Sequence, residues 1–178
     1  MIMETQEIAT AELSKERVIA ISSNETRELY QASRFGEIHG EFVYYSLIEG
    51  LYLFEKGKIT IKYGKKTITP ESFIKKAQEI EPTFRVRYLV YKDLRNRGYI
   101  VKTALKFGAD FRVYERGIKP GEDHAKWIVF AVHESGGFTW HEFSAKNRVA
   151  HSTRKKLLLG IVDEEQDVTY YECGWLRP

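Results

Sequence analysis

The feature that most constrains the fold is an unbroken apolar run, LLLGIV, at residues 157–162. Its length is that of a strand, and its continuity indicates that both faces of the strand are covered. Such a strand lies inside a sheet that carries helices on each side. The run therefore predicts a layered α/β domain in this part of the chain.

The segments around this run predict the rest of that domain. Strands are expected at residues 99–105, 111–115, 126–133 and 168–175, and helices at residues 82–98 and 142–152. Strands flanked by helices at both ends indicate a mixed α/β sheet. We place a domain boundary near the first of these helices, which gives an N-terminal domain at 1–82 and a C-terminal domain at 83–178.

The first half of the chain predicts a smaller α+β domain that opens with a strand and a helix. Residues 11–22 are predicted to form one strand that ends at Ser22. Ser22 and Glu25 have the spacing of a capping box, and Gly36 is a typical C-terminal stop. We therefore expect the first helix to lie between Ser22 and Gly36.

The remainder of the N-terminal domain is predicted to contain two more helices and a hairpin. The second helix is expected at residues 45–56, where apolar residues recur on one face. The segment 58–69 alternates apolar and polar residues and turns near Gly64, which indicates a hairpin. Thr69 is predicted to cap a third helix whose first residue is Pro70.

Composition excludes several classes of protein. An apolar share of 43% in 178 residues is enough to build a core. A single cysteine, Cys173, excludes an internal disulfide framework and a Cys-rich zinc site. No apolar run approaches the ~20 residues that span a bilayer, and the first residues lack the apolar core of a signal peptide. We expect a soluble, cytoplasmic protein without membrane association.

Charge is distributed unevenly along the chain. Residues 1–84 hold 11 Lys and Arg against 13 Asp and Glu, a net charge of −2, whereas residues 85–178 hold 17 against 12, a net charge of +5. A basic C-terminal half suits a polyphosphate partner. A solvated surface with excess lysine accounts for the same numbers.

Two candidate functional residues flank one loop. In the strand segment FRVYE, Tyr114 alternates away from the apolar Phe111 and Val113 and lies just before the loop RGIKPGED. His124 follows that loop and precedes the next strand. Side chains at such loop edges often carry function. Taken singly, a strand-end tyrosine is more often a packing residue, and a lone histidine is more often a surface residue.

A basic cluster precedes the buried strand. It contains Arg148, His151, Arg154, Lys155 and Lys156 at the end of a predicted helix. Cations there complement the helix C-terminus, so capping alone explains the cluster. A phosphate-binding site explains it equally well.

Four blocks of the sequence together carry a resemblance to a known family. They are YLVYKDLRNRGY, KFGADFRVYERG, GEDHAKW and RVAHSTRKKLLLGIVD. In this order they resemble the archaeal tRNA-intron endonucleases, of the short type that forms homotetramers. The resemblance is dense in the C-terminal half and looser in the N-terminal half. It implies a C-terminal domain that is similar to restriction endonucleases, with a mixed central sheet.

The resemblance implies a catalytic triad of Tyr114, His124 and Lys155 and no cofactor. In the family, the tyrosine acts as base toward a ribose 2′-hydroxyl, the histidine protonates the leaving 5′-oxygen, and the lysine stabilises the transition state. The products are a 2′,3′-cyclic phosphate and a 5′-hydroxyl. Free tyrosine titrates near ~10, so Tyr114 either needs nearby cations or only positions the 2′-hydroxyl. Many relatives have a serine after the histidine, where this chain has Ala125.

The resemblance also implies how RNA is recognised. The family binds precursor tRNA at a bulge–helix–bulge motif and holds a splayed base between cationic or aromatic planes. Arg148 matches one such position, seven residues before Lys155. Candidates for the second plane are Tyr170, Trp175 and Arg177. A phosphate contact or a surface ion pair is the alternative role for Arg148.

Assembly is a further implication of the resemblance. Two cuts at symmetric bulges require at least two active sites, and family members of this length resemble dimers of dimers. The last strand pairs subunits, and an acidic loop docks one dimer onto the other. In this chain that loop contains Asp163, Glu164, Glu165 and Asp167. An ordinary polar hairpin turn would have a similar composition.

Two other functions are considered. A metal-dependent nuclease needs clustered carboxylates, commonly with Glu-x-Lys on a strand. No lysine in the sequence has Glu, Asp or Gln two residues before it, and no zinc-binding histidine spacing is present. We therefore expect no metal. A non-catalytic RNA-binding subunit of a splicing complex would have lost part of the triad, whereas all three residues are present.

Overall fold

A computed structural model describes residues 8–176 and Pro178 of the chain. Two compact units divide the chain, Met1–Phe84 and Arg85–Pro178. Each unit combines helices with one sheet that has both parallel and antiparallel pairs. The predicted α+β class with mixed sheets is confirmed.

The described part of the N-terminal unit contains six strands and three helices. In chain order they are β1 (Ala9–Ser14), β2 (Arg17–Ile21), α1 (Asn24–Ser33), β3 (Glu37–His39), β4 (Phe42–Ser46), α2 (Leu47–Glu55), β5 (Ile59–Tyr63), β6 (Lys66–Thr67) and α3 (Pro70–Ile80). The strand order is β3-β4-β2-β1-β5-β6. Gly50 lets α2 approach the sheet closely, because a Cβ there would lie 2.6 Å from a methyl of Val18.

Two predictions for the start of the chain are wrong. Residues 11–22 belong to two antiparallel strands, β1 and β2, because the chain turns at Lys15, whose φ of 52° is left-handed. The cap of α1 is Ser23 and not Ser22, since the Ser23 hydroxyl accepts from the backbone N–H of Thr26. Two adjacent serines offer the same capping chemistry, and the local backbone selects the second.

The second helix begins later than predicted, and the hairpin is confirmed. Residues 42–46 form β4, which the sequence pattern merged with the following helix, and α2 starts only after the cap residue Ser46. β5 and β6 form the predicted hairpin. Thr69 caps α3 as predicted, with its hydroxyl accepting from the N–H of Ser72 at 3.3 Å.

The described part of the C-terminal unit forms a five-stranded sheet with helices. Its elements are α4 (Phe84–Asn96), β7 (Ile100–Ala104), a 3₁₀ turn (Leu105–Phe107), β8 (Ala109–Tyr114), β9 (Trp127–His133), α5 (Trp140–Ser152), β10 (Lys156–Val162) and β11 (Val168–Cys173). The strand order is β11-β10-β9-β8-β7, and only β9 and β10 are parallel. Every predicted element of this half is present, with shifted ends.

The two faces of this sheet are covered by different helices, which we call the α4 face and the α5 face. On the α4 face the ring of Tyr91 lies 5.7 Å from that of Phe111, and Gly160 faces Val90. On the α5 face Ile128 and Leu157 belong to one buried cluster. The strand at residues 157–162 is therefore interior and covered on both sides, as its apolar run predicted.

The helices of the described residues are all too short or too polar to cross a membrane.

Candidate active site

One end of the C-terminal sheet brings residues from several strands into register. Val113 of β8 pairs with Trp127 of β9, which in turn pairs with Lys156 of β10. Tyr114 and Lys155 each lie one residue beyond this row. They are therefore neighbours at the same end of the sheet, separated by a single strand. Two strand spacings put their Cα atoms about 10 Å apart.

Strand alternation places these two side chains on the same face. Tyr114 shares the side of Arg112, and Lys155 shares the side of Leu157. Arg112 pairs with Ile128, and Ile128 pairs with Leu157, so all of them belong to the α5 face. A phenol about 6 Å long and an extended ammonium side chain can converge across one intervening strand.

The end of α5 sets the position of Lys155. Thr153 is the C-cap, and Arg154 has a left-handed φ of 55°. The N–H of Arg154 donates to the carbonyl of His151 at 3.0 Å, and the N–H of Lys155 donates to that of Ala150 at 2.8 Å. This is a Schellman motif, in which the residue at the position of Lys155 usually makes an apolar contact. A lysine there presents a charge instead.

The side chains of Tyr114 and His124 lie in different environments. Tyr114 is buried, with 4% of its surface exposed, and the structure gives its hydroxyl no hydrogen-bond partner among the described residues. His124 is exposed in the segment that precedes β9, and the buried Ala125 follows it. The structure thus brings Tyr114 and Lys155 to one face. It brings His124 to the same end of the sheet, with the imidazole in solvent.

Arg148 lines a cavity beside this end of the sheet. The cavity has a volume of about 410 Å³ and is formed by α5 and by the chain after β11. Its lining residues are Phe143, Ser144, Asn147, Arg148, Gly174 and Trp175. A cavity of this size, with one cation and two aromatic rings, suits a flat organic group.

The structure separates the three candidates for a plane opposite Arg148. Trp175 lines the same cavity, and its ring meets the imidazole of His151 at 4.2 Å. Tyr170 pairs with Gly160 and lies on the α4 face, where its hydroxyl donates to Asp93 at 2.8 Å. Arg177 lies outside the described residues. Trp175 is therefore the candidate that shares a cavity with Arg148.

Burial and hydrogen bonding fix the chemistry of Tyr170. Burial, followed by the hydrogen bond to Asp93, raises its pKa well above the ordinary value of tyrosine. Its hydroxyl therefore remains a hydrogen-bond donor over the whole physiological range. Tyr170 stabilises the packing of β11 against α4.

Four cavity residues were not singled out from the sequence, namely Phe143, Ser144, Asn147 and Gly174. Phe143 and Asn147 are four residues apart, as are Ser144 and Arg148, so these helical residues form two neighbouring stripes on one side of α5. That helical spacing was the signal available in the sequence.

No group of three or more His, Cys, Asp or Glu side chains within residues 8–176 is arranged to hold a metal ion.

Comparisons with known families match both units. Residues 9–74 match the model of the tRNA intron endonuclease N-terminal domain. Residues 84–170 match the model of the tRNA intron endonuclease catalytic C-terminal domain. The second match covers β7 to β10 and therefore includes Tyr114, at the end of β8, and Lys155, the residue before β10.

Curated relatives are similar over most of their length. A tRNA-splicing endonuclease of Thermococcus gammatolerans is 42% identical over 165 residues, which is 93% of this chain and 96% of the relative. That of Methanothermobacter thermautotrophicus is 41% identical over 94% of this chain and 97% of its own. The tRNA-splicing endonuclease of Nanoarchaeum equitans is 45% identical over 74% of this chain and 88% of its own length. Together with the two domain matches, these identities show that the chain belongs to the tRNA intron endonuclease family.

Proposed function

We propose that this chain is a metal-independent RNA endonuclease that excises introns from precursor tRNA at bulge–helix–bulge motifs. The cut leaves a 2′,3′-cyclic phosphate and a 5′-hydroxyl. The observation that carries the proposal is the shared end and face of Tyr114 and Lys155, with His124 at the same end. A phenol, an imidazole and an ammonium are sufficient for the reaction, because RNA supplies its own nucleophile.

The proposed reaction begins at the ribose 2′-hydroxyl next to the cut. Tyr114 removes its proton or orients it while the proton passes to water. The 2′-oxygen then forms a bond to the adjacent phosphorus, and the bond from phosphorus to the 5′-oxygen breaks. DNA lacks this hydroxyl and cannot react.

His124 and Lys155 act on the negative charges that develop on the leaving 5′-oxygen and around the phosphorus. His124 donates a proton to the departing 5′-oxygen, which is the role of a general acid. Its exposure fits this role, because the imidazole must be protonated again from solvent after each cut. Lys155 lies at the end of α5 and stabilises the additional negative charge on the phosphorane-like transition state.

Arg148 is proposed to bind the substrate. Its guanidinium and the ring of Trp175 line one cavity, so a base splayed from the bulge could stack between a cationic and an aromatic plane. The stacking planes are sequence-tolerant, since every base has two flat faces. The motif would then be recognised by its shape more than by its sequence.

The working enzyme is proposed to be a homotetramer, a dimer of dimers. β11 is an edge strand of the described sheet and can pair with a second copy. The β10–β11 loop carries Asp163, Glu164, Glu165 and Asp167, and the last three of these are exposed. We assign residues 83–178 to catalysis and residues 1–82 to structure and assembly.

A cleavage assay with a model RNA tests the proposal. The purified full chain is incubated with an RNA that has two bulges separated by a short helix, in excess EDTA. We expect cuts in both bulges, with ends that carry a cyclic phosphate and a free 5′-hydroxyl. The matched control RNA has a single 2′-deoxynucleotide before each scissile phosphate. It should bind equally well and remain uncut.

Three results would count against the proposal. Loss of cleavage in EDTA that added Mg²⁺ restores would indicate metal chemistry. Cleavage of the 2′-deoxy control would exclude the 2′-oxygen as nucleophile. An intact RNA that is bound by this chain and cut only after a partner chain is added would indicate a non-catalytic subunit.

A further inference from the structure

Phe107 belongs to an irregular turn between β7 and β8. The pairing of these strands shifts register between Thr103 and Ala104, and the 3₁₀ turn that follows ends at Gly108, which has a left-handed φ of 63°. Register shifts of this kind re-aim side chains next to functional sites. In this turn, the shift and the tight 3₁₀ geometry set the direction of Phe107.

The ring of Phe107 lies beside the ammonium of Lys155. The Nζ atom is 5.7 Å from the ring centroid, within the range of a cation–π contact. Nζ also donates a hydrogen bond to the carbonyl of Thr153 at 2.9 Å. The ammonium is therefore held by an aromatic ring and a backbone carbonyl, both of which are neutral.

The absence of a carboxylate here has a chemical consequence. No Asp or Glu among the described residues forms an ion pair with Lys155, whereas Lys126 and Lys156 pair with Glu115 and Glu172. A carboxylate would fix the ammonium and would also cancel the charge that a phosphate needs. An aromatic ring fixes the ammonium and leaves its charge available.

Packing against the core restricts the position of the Phe107 ring. The ring packs against the buried cluster of the α5 face, which includes Ile128 and Leu157. Leu105, two residues earlier in the same turn, is 74% exposed. The turn thus packs one of its two large apolar side chains, the partly buried Phe107, against the core and beside Lys155, and leaves the other in solvent.

We propose that Phe107 is a positioning residue for Lys155, whose ammonium it holds at the end of the sheet without neutralising it. This inference rests on the proposed function, because it assumes that Lys155 acts on the scissile phosphate. In this role Phe107 acts through Lys155 and needs no contact with RNA of its own.

The test compares single-turnover cleavage rates, with the enzyme in excess over the RNA and at a concentration that saturates binding. Phe107→Leu keeps an apolar side chain but removes the ring, and we expect the rate to fall about two- to fivefold with little change in RNA affinity. Phe107→Tyr keeps the ring face and should restore the rate. Leu105→Ala, in the same turn, should cleave like the unmodified chain.

A double-mutant cycle separates positioning from a general structural effect. In a Lys155→Ala background, Phe107→Leu should cause no further loss, because the group that it positions is gone. An equal loss in both backgrounds, or an unchanged rate for Phe107→Leu alone, would overturn the inference. Full activity of Lys155→Ala would instead overturn the assigned role of Lys155, so failure of the two proposals can be told apart.

Discussion

The two faces of the C-terminal sheet carry similar residue types for different purposes. The α4 face is closed by close packing, where a Cβ on Gly160 would lie 2.9 Å from a methyl of Val90. The α5 face is apolar around Leu157 but ends in the polar groups of Tyr114 and Lys155. A single sheet is therefore closed by packing on one side, and on the other it presents at its end the polar groups that we propose to be catalytic.

Two tyrosines make the contrast concrete. Tyr170, on the α4 face, donates its hydroxyl to Asp93, and Asp93 also pairs with Arg97 at 2.7 Å. Tyr114, on the α5 face, is buried, yet its hydroxyl has no hydrogen-bond partner among the described residues. A hydroxyl that is hydrogen-bonded within the protein stabilises the fold, whereas a hydroxyl without a protein partner remains available to a substrate. The presence or absence of a hydrogen-bond partner, and not the residue type, distinguishes Tyr170 from Tyr114.

The largest effect is expected from His124→Ala. We expect cleavage to slow by ~10²-fold or more, as is typical for loss of a general acid, while RNA binding and thermal stability persist because the side chain is exposed. Single-turnover cleavage and an RNA binding titration measure both. The control is His39→Ala, another exposed histidine, in the N-terminal unit. Parallel loss of binding and cleavage would make His124 a contact or folding residue.

Removing the two tyrosine hydroxyls tests the contrast directly. Tyr114→Phe should slow cleavage by roughly 10- to 100-fold and leave the free energy of unfolding nearly unchanged. Tyr170→Phe should lower the free energy of unfolding by about 1 kcal/mol, because a buried hydrogen bond is lost, with cleavage little affected. Urea unfolding and cleavage of the bulged RNA measure the two. If the effects were exchanged, the comparison of the faces would be wrong.

Packing on the α4 face can be tested with a single methyl group. Gly160→Ala adds a Cβ within 2.9 Å of Val90 and 3.3 Å of the Tyr170 ring, so we expect a loss of about 1–3 kcal/mol in stability. Thermal unfolding followed by circular dichroism measures it. Gly137→Ala is the control, since a Cβ there has no neighbour within 4 Å. A neutral Gly160→Ala would show that α4 can move away from the sheet at little cost.

The smallest effect concerns the backbone that presents Lys155. Arg154 has a left-handed φ of 55°, a conformation in which glycine is favoured over other residues by about 1 kcal/mol. Arg154→Gly should therefore be more stable to urea than Arg154→Ala, which lacks the guanidinium but keeps the strain. Equal stability of the two variants would mean that the backbone at this end of the α5 face is unstrained.

Local signals explain which elements could be predicted from the sequence. Thr69 caps α3 because its hydroxyl needs only its own neighbours, and the hairpin of β5 and β6 follows from alternation and a turn at Gly64. The division between β1 and β2 was missed because the turn uses Lys15, which is not a typical turn residue. β4 was missed because the segment FVYYSLIEGL is apolar apart from Ser46, Glu49 and Gly50, so its periodicity does not separate a strand from a helix.

The residues of the candidate site could likewise not be identified from local sequence signals alone. Tyr114, His124 and Lys155 came from the resemblance, since each residue taken alone had an ordinary structural explanation. The pairing register of β8, β9 and β10 places Tyr114 and Lys155 on the same face of the sheet. Trp175 could not be distinguished from Tyr170 as a residue beside Arg148 until the strand register placed Tyr170 on the α4 face.

Residue types and neighbours a few positions away were enough to predict the interior strand at residues 157–162, the helices and strands around it, and the set of candidate groups. Which groups share a face, and which already have a hydrogen-bond partner, depended on how the strands and helices pack together. Phe107 meets Lys155 across 48 positions of chain, and such a contact is fixed by sheet register and core packing, which local spacing does not encode.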